Sequence, residues 1–167
     1  MGDPKLPRTI YLMLFFAGLL MFGYYYPKMP ANMASHFGAS GAANGWQSRE
    51  AFFLLMIIVN GVSAVITFLA PRQITSSPDA RINLPNREYW LAAERREGTF
   101  AYITSMMAWF GCAVLTVLLV GTYLAIQANL STDQQFDSNL MLGMMVLLSI
   151  FILVLLVRFV SHFRRME

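Results

Sequence analysis

Residues 140–160 read LMLGMMVLLSIFILVLLVRFV. One charge interrupts the run, Arg158, near its end, where a long stem carries the guanidinium to the membrane interface. A bilayer core takes about 20 apolar residues as helix, so the run reads as one crossing. Working outward from it, three more stretches have the same character: 10–26, 51–69 and 100–126, none containing Asp, Glu or Lys. Only helices and closed barrels satisfy their backbone in lipid. Runs of this length exclude barrel strands, which need about 9–11 residues. The expected fold is all-α: a polytopic membrane protein, one four-transmembrane-helix bundle over residues 1–167. Its connections are an outer loop 27–50, an inner loop 70–99 and a second outer loop 127–139.

The composition agrees. Hydrophobic residues make up 57% of the 167 and charged residues only 13%, against about a quarter charged in soluble domains. A soluble chain this short has too little interior to bury four such runs. The net charge of +3 does not point to nucleic acid, because the basic residues flank apolar runs and form no single patch. The one cysteine, Cys112, lies in the third run, where it acts as a small hydrophobe and is not expected to be reactive.

The ends of the runs carry stop and start signals. Pro27 and Pro30 follow the first span, and Pro71 is expected to end the second. Ser48 is placed to cap the second, with Glu50 in its first turn. The third is expected to start after Gly98, and the fourth follows the polar run 131–139. Tyr24, Tyr25, Tyr26, Trp46 and Trp90 stand near boundaries, at headgroup level. The first span, with Lys5 and Arg8 before it, is read as a true span and not as a cleaved signal.

Orientation follows from Lys and Arg. Lys5, Arg8, Arg72, Arg81, Arg87, Arg95, Arg96, Arg158, Arg164 and Arg165 fall on one side, and only Lys28 and Arg49 on the other. The positive-inside rule puts the larger set in the cytoplasm, with both ends inside, as four spans require.

The outer loop reads PKMPANMASHFGASGAANGWQSR from Pro27 to Arg49, with Asn44-Gly45 as a turn signal. The order Met29-Pro30, His36-Phe37, Gly41, Asn44-Gly45-Trp46 and Ser48-Arg49 resembles the N-terminal domain of unknown function of SdpI-type membrane proteins. That pattern runs Leu-Pro, Pro-x-His-Phe-Asn, Gly, Asp-Gly-Trp and Ser-Lys. This chain departs from it at Ala34, Gly38, Asn44 and Arg49. The likeness covers the loop and its flanking spans, as in a short four-span relative. It implies a multi-pass protein of the bacterial cytoplasmic (inner) membrane. SdpI is an immunity protein against a bacterium's own peptide toxin and, with that toxin, holds a repressor at the membrane. The likeness therefore also implies a peptide ligand at the outer loop and a cytoplasmic partner at the inner loop.

The inner loop centres on INLPNREYWLAAERREG, residues 82–98. Asn83-Leu84-Pro85-Asn86 reads as a turn and helix start, and residues 87–97 as a short interfacial helix. Tyr89, Trp90 and Leu91 would lie in the interface while Arg87, Arg95 and Arg96 meet anionic headgroups. Glu88, Glu94 and Glu97 among these arginines read as a solvated, mutually neutralising face.

Some residues admit a sharper reading beside a plain one. Met29, Met33 and His36 would offer soft ligands to Cu(I) if their segment were helical; the plain reading of His36 is a hydrogen bond within the loop. Asn60, central in the second span, must find a partner in hydrocarbon, either as packing glue against another helix or on a transport path. His162 reads as an interfacial residue at a helix end. Ala101, Ser105, Ala108, Cys112 and Thr116 form a small-residue stripe that admits a close helix from this chain or another. The twelve methionines read mostly as gap-fillers in the spans. No nucleophile motif, phosphate loop or His/Cys metal spacing appears in the sequence, and no cofactor is expected. Three functions stand open: a non-enzymatic accessory subunit of a larger membrane complex, an SdpI-like immunity or peptide-sensing protein, and a small metal-binding or transport protein. The partners expected are membrane lipid, other membrane subunits and, under the second reading, a peptide.

Overall fold

The computed structural model describes residues 3–165; the outermost residues of the expected domain, 1–2 and 166–167, lie outside the described part. In chain order the elements are α1 (Lys5–Tyr25), a 3₁₀ turn at Tyr26–Lys28, β1 (Asn32–Phe37), β2 (Ala43–Ser48), α2 (Arg49–Thr75), a 3₁₀ turn at Asp79–Arg81, α3 (Arg87–Trp90), α4 (Ala93–Leu130) and α5 (Ser138–Arg164). Four helices, α1 (with its 3₁₀ turn), α2, α4 and α5, are long and apolar enough to cross a membrane. The architecture is the all-α four-span bundle the sequence implies, with one hairpin added.

α4 is the hub, packed against α1, α2 and α5 in turn. At the α1 and α2 seams a glycine lets the helices close up, as lipid-embedded helices require. A Cβ on Gly111 would run into the Thr67 side chain of α2, and one on Gly18 of α1 would come within 2.6 Å of Leu119 in α4. One on Gly121 would meet the Met141 methyl of α5 at 3.4 Å. The small-residue stripe finds its partner in this chain. Cys112 Sγ donates to the Pro7 carbonyl at 3.1 Å and Ser105 Oγ to the Asp3 carbonyl at 3.4 Å, so the stripe receives the start of α1.

The helix ends differ from expectation in three places. α2 runs through the buried Pro71 to Thr75. One missing N–H is tolerated because an apolar medium offers the neighbouring backbone groups no better partner than the helix itself. α4 begins before Gly98, at Ala93; a single helical glycine costs only about 1 kcal/mol. The helix expected over 87–97 is split. α3 ends at Trp90, Leu91 turns into an apolar cluster, and Thr99 Oγ1 donates to the Trp90 carbonyl at 2.8 Å across the break. Ser48 caps α2 as expected, its hydroxyl accepting from the Ala51 N–H at 3.2 Å, and Asp137 does the same for α5 through Leu140 at 2.9 Å.

Candidate functional site

Apart from Asn60, midway along α2, the functional residues read from the sequence fall at the two ends of the bundle. At one end the outer loop is not irregular but an antiparallel hairpin. Its register pairs Asn32 with Ser48, Ala34 with Trp46 and Phe37 with Ala43, and is interrupted by bulges on both sides of His36. Asn44-Gly45 lies within β2 and is not the turn. The chain reverses at 38–42 instead, where Gly38 N–H donates to the Ala42 carbonyl at 2.8 Å. Gly41 has φ +85°, and a Cβ there would strike the Phe136 carbonyl. Only glycine meets both conditions. Phe136 N–H in turn donates to the Gly41 carbonyl at 2.9 Å, tying the second outer loop to the hairpin tip.

The other motif residues have local tasks in the hairpin. His36 Nδ1 is hydrogen-bonded to the Asn44 side chain, and Gly45 makes room for it, since a Cβ there would lie 3.0 Å from His36 Cβ. Phe37 stacks on Phe136 with ring centroids 5.0 Å apart. Trp46 is half exposed. Pro30 follows the 3₁₀ turn and leads into β1. Met29 and Met33 are buried in a cluster with Phe22, Phe52, Phe53 and Ile126. The segment bearing Met33 and His36 is a strand, so the helical spacing assumed for a copper site is not there. Among the described residues no three His, Cys, Asp or Glu side chains gather.

One residue here escaped the sequence reading. Asn129, buried at the end of α4, accepts from the Ala34 N–H at 2.7 Å and donates to the Ala34 carbonyl at 2.8 Å. Its amide thus occupies the edge of β1 as another strand would. A second amide, Asn60, is buried in α2 and donates to the Met56 carbonyl of its own helix at 2.7 Å, instead of reaching across to another. A polar side chain at the end of an apolar run was the available signal for Asn129.

Under this hairpin runs an apolar groove of about 680 Å³. Val114, Leu118 and Gly121 of α4 form its floor, Phe52 and Met56 of α2 one wall, Met141, Met145 and Leu148 of α5 the other. His36, Phe37 and Phe136 roof it.

The opposite end carries the inner loop. Ile82, Leu84 and Leu91 are buried with Ile103 and Phe163. Asn83 and Pro85, between them, are exposed. Asn86 takes the left-handed conformation, φ 51°, and its amide donates to the carbonyls of Phe163 at 3.1 Å and Arg164 at 3.3 Å. Asn tolerates that region better than most residues. Trp90 Nε1 donates to the same Phe163 carbonyl at 3.0 Å. His162 sits between two rings, stacked on Tyr102 at 4.0 Å and tilted against Trp90 at 4.7 Å. The loop is therefore fastened to the end of α5. Its charges lie on the outside: Arg87 reaches the Ala80 carbonyl at 3.3 Å, Arg96 pairs with Asp79, and Arg95 lies over the Tyr89 ring at 4.0 Å. A second cavity, about 570 Å³, opens here between Arg81, Asn83, Arg87 and Glu88.

No curated protein and no solved structure matches the chain. A family model, the domain of unknown function DUF1648, matches residues 13–59, which takes in most of α1, the whole hairpin and the first turns of α2.

Proposed function

We propose that this is a non-enzymatic integral membrane protein of the bacterial cytoplasmic membrane, acting as an accessory subunit that docks on larger membrane proteins. The supporting observation is the inner loop. A stretch of this length is expected to be mobile unless tied down, yet here Asn86 and Trp90 fasten it to the Phe163 carbonyl. The result is an anchored loop with Arg81, Arg87, Glu88, Glu94 and Arg95 exposed. Charges held on an ordered scaffold suit recognition of a complementary partner surface. Extraction in a mild detergent, purification through a tag and mass spectrometry test this reading. A stoichiometric set of larger membrane proteins, lost in an Arg87→Glu, Arg95→Glu variant, supports it. A lone protein removes it.

A second reading, an SdpI-like immunity or peptide-sensing protein, is favoured by a different observation. The edge of β1 is met by Asn129 at Ala34, whereas beside β2 the one bridge, Ala42 to Gln135, lies at the hairpin tip and no strand runs along residues 43–48 among the described residues. An open edge accepts an extended peptide by strand addition, and Trp46 stands exposed on that strand. Deleting the protein should then sensitise cells to a small secreted peptide encoded nearby. Unchanged sensitivity would sink this reading. The metal or transport reading rests on Met29, Met33 and His36 or on Asn60, and none of their contacts favours it; a copper titration of the purified protein without saturable binding would close the first, and Asn60→Leu with unchanged phenotype the second.

A further inference from the structure

We infer that the groove between α2 and α5 holds one acyl chain of a bilayer phospholipid, drawn from the leaflet on the hairpin side. Depth is the first argument. The α4 residues of the floor run from Val114 to Ala125, roughly 17 Å of helix at 1.5 Å per residue. The hydrocarbon of one leaflet is half of a core about 30 Å thick, roughly 15 Å. The groove thus begins at the hairpin, where the polar loops begin, and ends near the midplane.

Width selects the occupant. Met56 reaches in from α2 until its sulfur lies 3.2 Å from Thr122 Oγ1. From the opposite wall Met141 comes against Gly121, the very next residue. A volume of about 680 Å³ spread along roughly 17 Å of floor leaves a mean cross-section of roughly 40 Å², about half or less of that of a helix, which with side chains is about 10–12 Å across. An unbranched hydrocarbon chain fits between the walls. The methionine side chains lining the groove, Met56, Met141 and Met145, are flexible and polarisable, and adapt to a chain of variable kink.

The roof sets the direction of entry. The stacked rings of Phe37 and Phe136 close the groove toward water, so the chain enters sideways from the bilayer. The polar groups at this mouth, Ser35, His36 and Ser138, stand where a headgroup would be. The volume, about 680 Å³, lies within the range of ligand sites, about 300–1,000 Å³. Filling the groove matters physically because an unfilled apolar channel leaves its lining without dispersion contacts.

The test is native mass spectrometry of the full chain, purified in mild detergent with a phosphatidylethanolamine and phosphatidylglycerol mixture. One phospholipid retained per chain is expected. Leu118→Trp in the floor and Met145→Trp in the wall should each cut that occupancy at least tenfold, while Leu153→Trp, on the bare face of α5, should leave it unchanged. Absence of retained lipid, or equal retention in all three variants, would overturn the proposal, as would equal loss in Leu153→Trp. Should the filling variants fail to fold by circular dichroism, the unaltered protein still decides. In vesicles containing phospholipid with a photoreactive diazirine at the chain end, labelling should concentrate on Val114 and Leu148. Labelling spread evenly over α1, α2 and α5 would overturn the inference.

Discussion

α4 and α5 are both long apolar helices, and they behave in opposite ways. Half of the most apolar window of α4 is buried, whereas only 6% of that of α5 is, although α5 is the more apolar. In water the greasier helix would be the central one. In lipid there is no hydrophobic gain from leaving the solvent, so packing and hydrogen bonds decide. α4 has Ser105, Ala108, Gly111, Cys112, Thr122 and Asn129 buried along its length. α5 has a glycine too, Gly143, but a Cβ there would meet nothing. Large aliphatic side chains such as Leu142, Leu147, Leu153 and Val157 face outward from α5.

The contrast can be broken most severely at the end of α4. Asn129→Leu strands the buried N–H and carbonyl of Ala34, at about 1–3 kcal/mol for each group. The hairpin should lose its fixed position, read as a large drop in thermal midpoint in detergent and faster hydrogen exchange at residues 32–48. Next comes Gly111→Leu, which drives a side chain into Thr67 and should cost about 1–3 kcal/mol by overpacking. A stability unchanged in this variant would remove the packing account of the α2–α4 seam. Trp90→Phe takes one hydrogen bond from the Phe163 carbonyl while keeping most of the ring, and should cost about 1 kcal/mol. Faster exchange at residues 82–92 is its expected mark. The smallest effect sharpens the comparison from the other side. Gly143→Leu on α5 should change stability by less than about 0.5 kcal/mol, and a loss as large as that of Gly111→Leu would show that α5 is covered in the membrane by a further protein surface.

Much of the fold was legible because it depends on local composition. The four apolar runs, the Ser48 cap and the Asn86 turn are signals carried within a few residues of where they act. Pro71 and Gly98 misled for a related reason. A proline penalty tuned to helices in water does not stop a packed helix in lipid, and the exposed Gly98 costs its helix only about 1 kcal/mol. The hairpin was not legible, because its strands are held by partners far along the chain: Asn129 lies 95 residues from Ala34, and Phe136 likewise comes from the second outer loop. Asn44-Gly45 carries a strong local turn signal, yet the reversal occurs at Gly41, where the Phe136 carbonyl leaves space only for a glycine.

The sequence by itself determined the number of spans, the apolar middle of each, and the side on which the basic residues gather. Those properties follow from how each segment partitions between water and lipid, which depends on that segment alone. Only the tertiary structure decided that α4 is the hub, that Met29 and Met33 belong to an apolar cluster, that Asn129 completes the edge of a strand, and that a narrow groove lies between α2 and α5. Those are matters of which surfaces fit closely enough to displace lipid, and fit is a property of two surfaces at once.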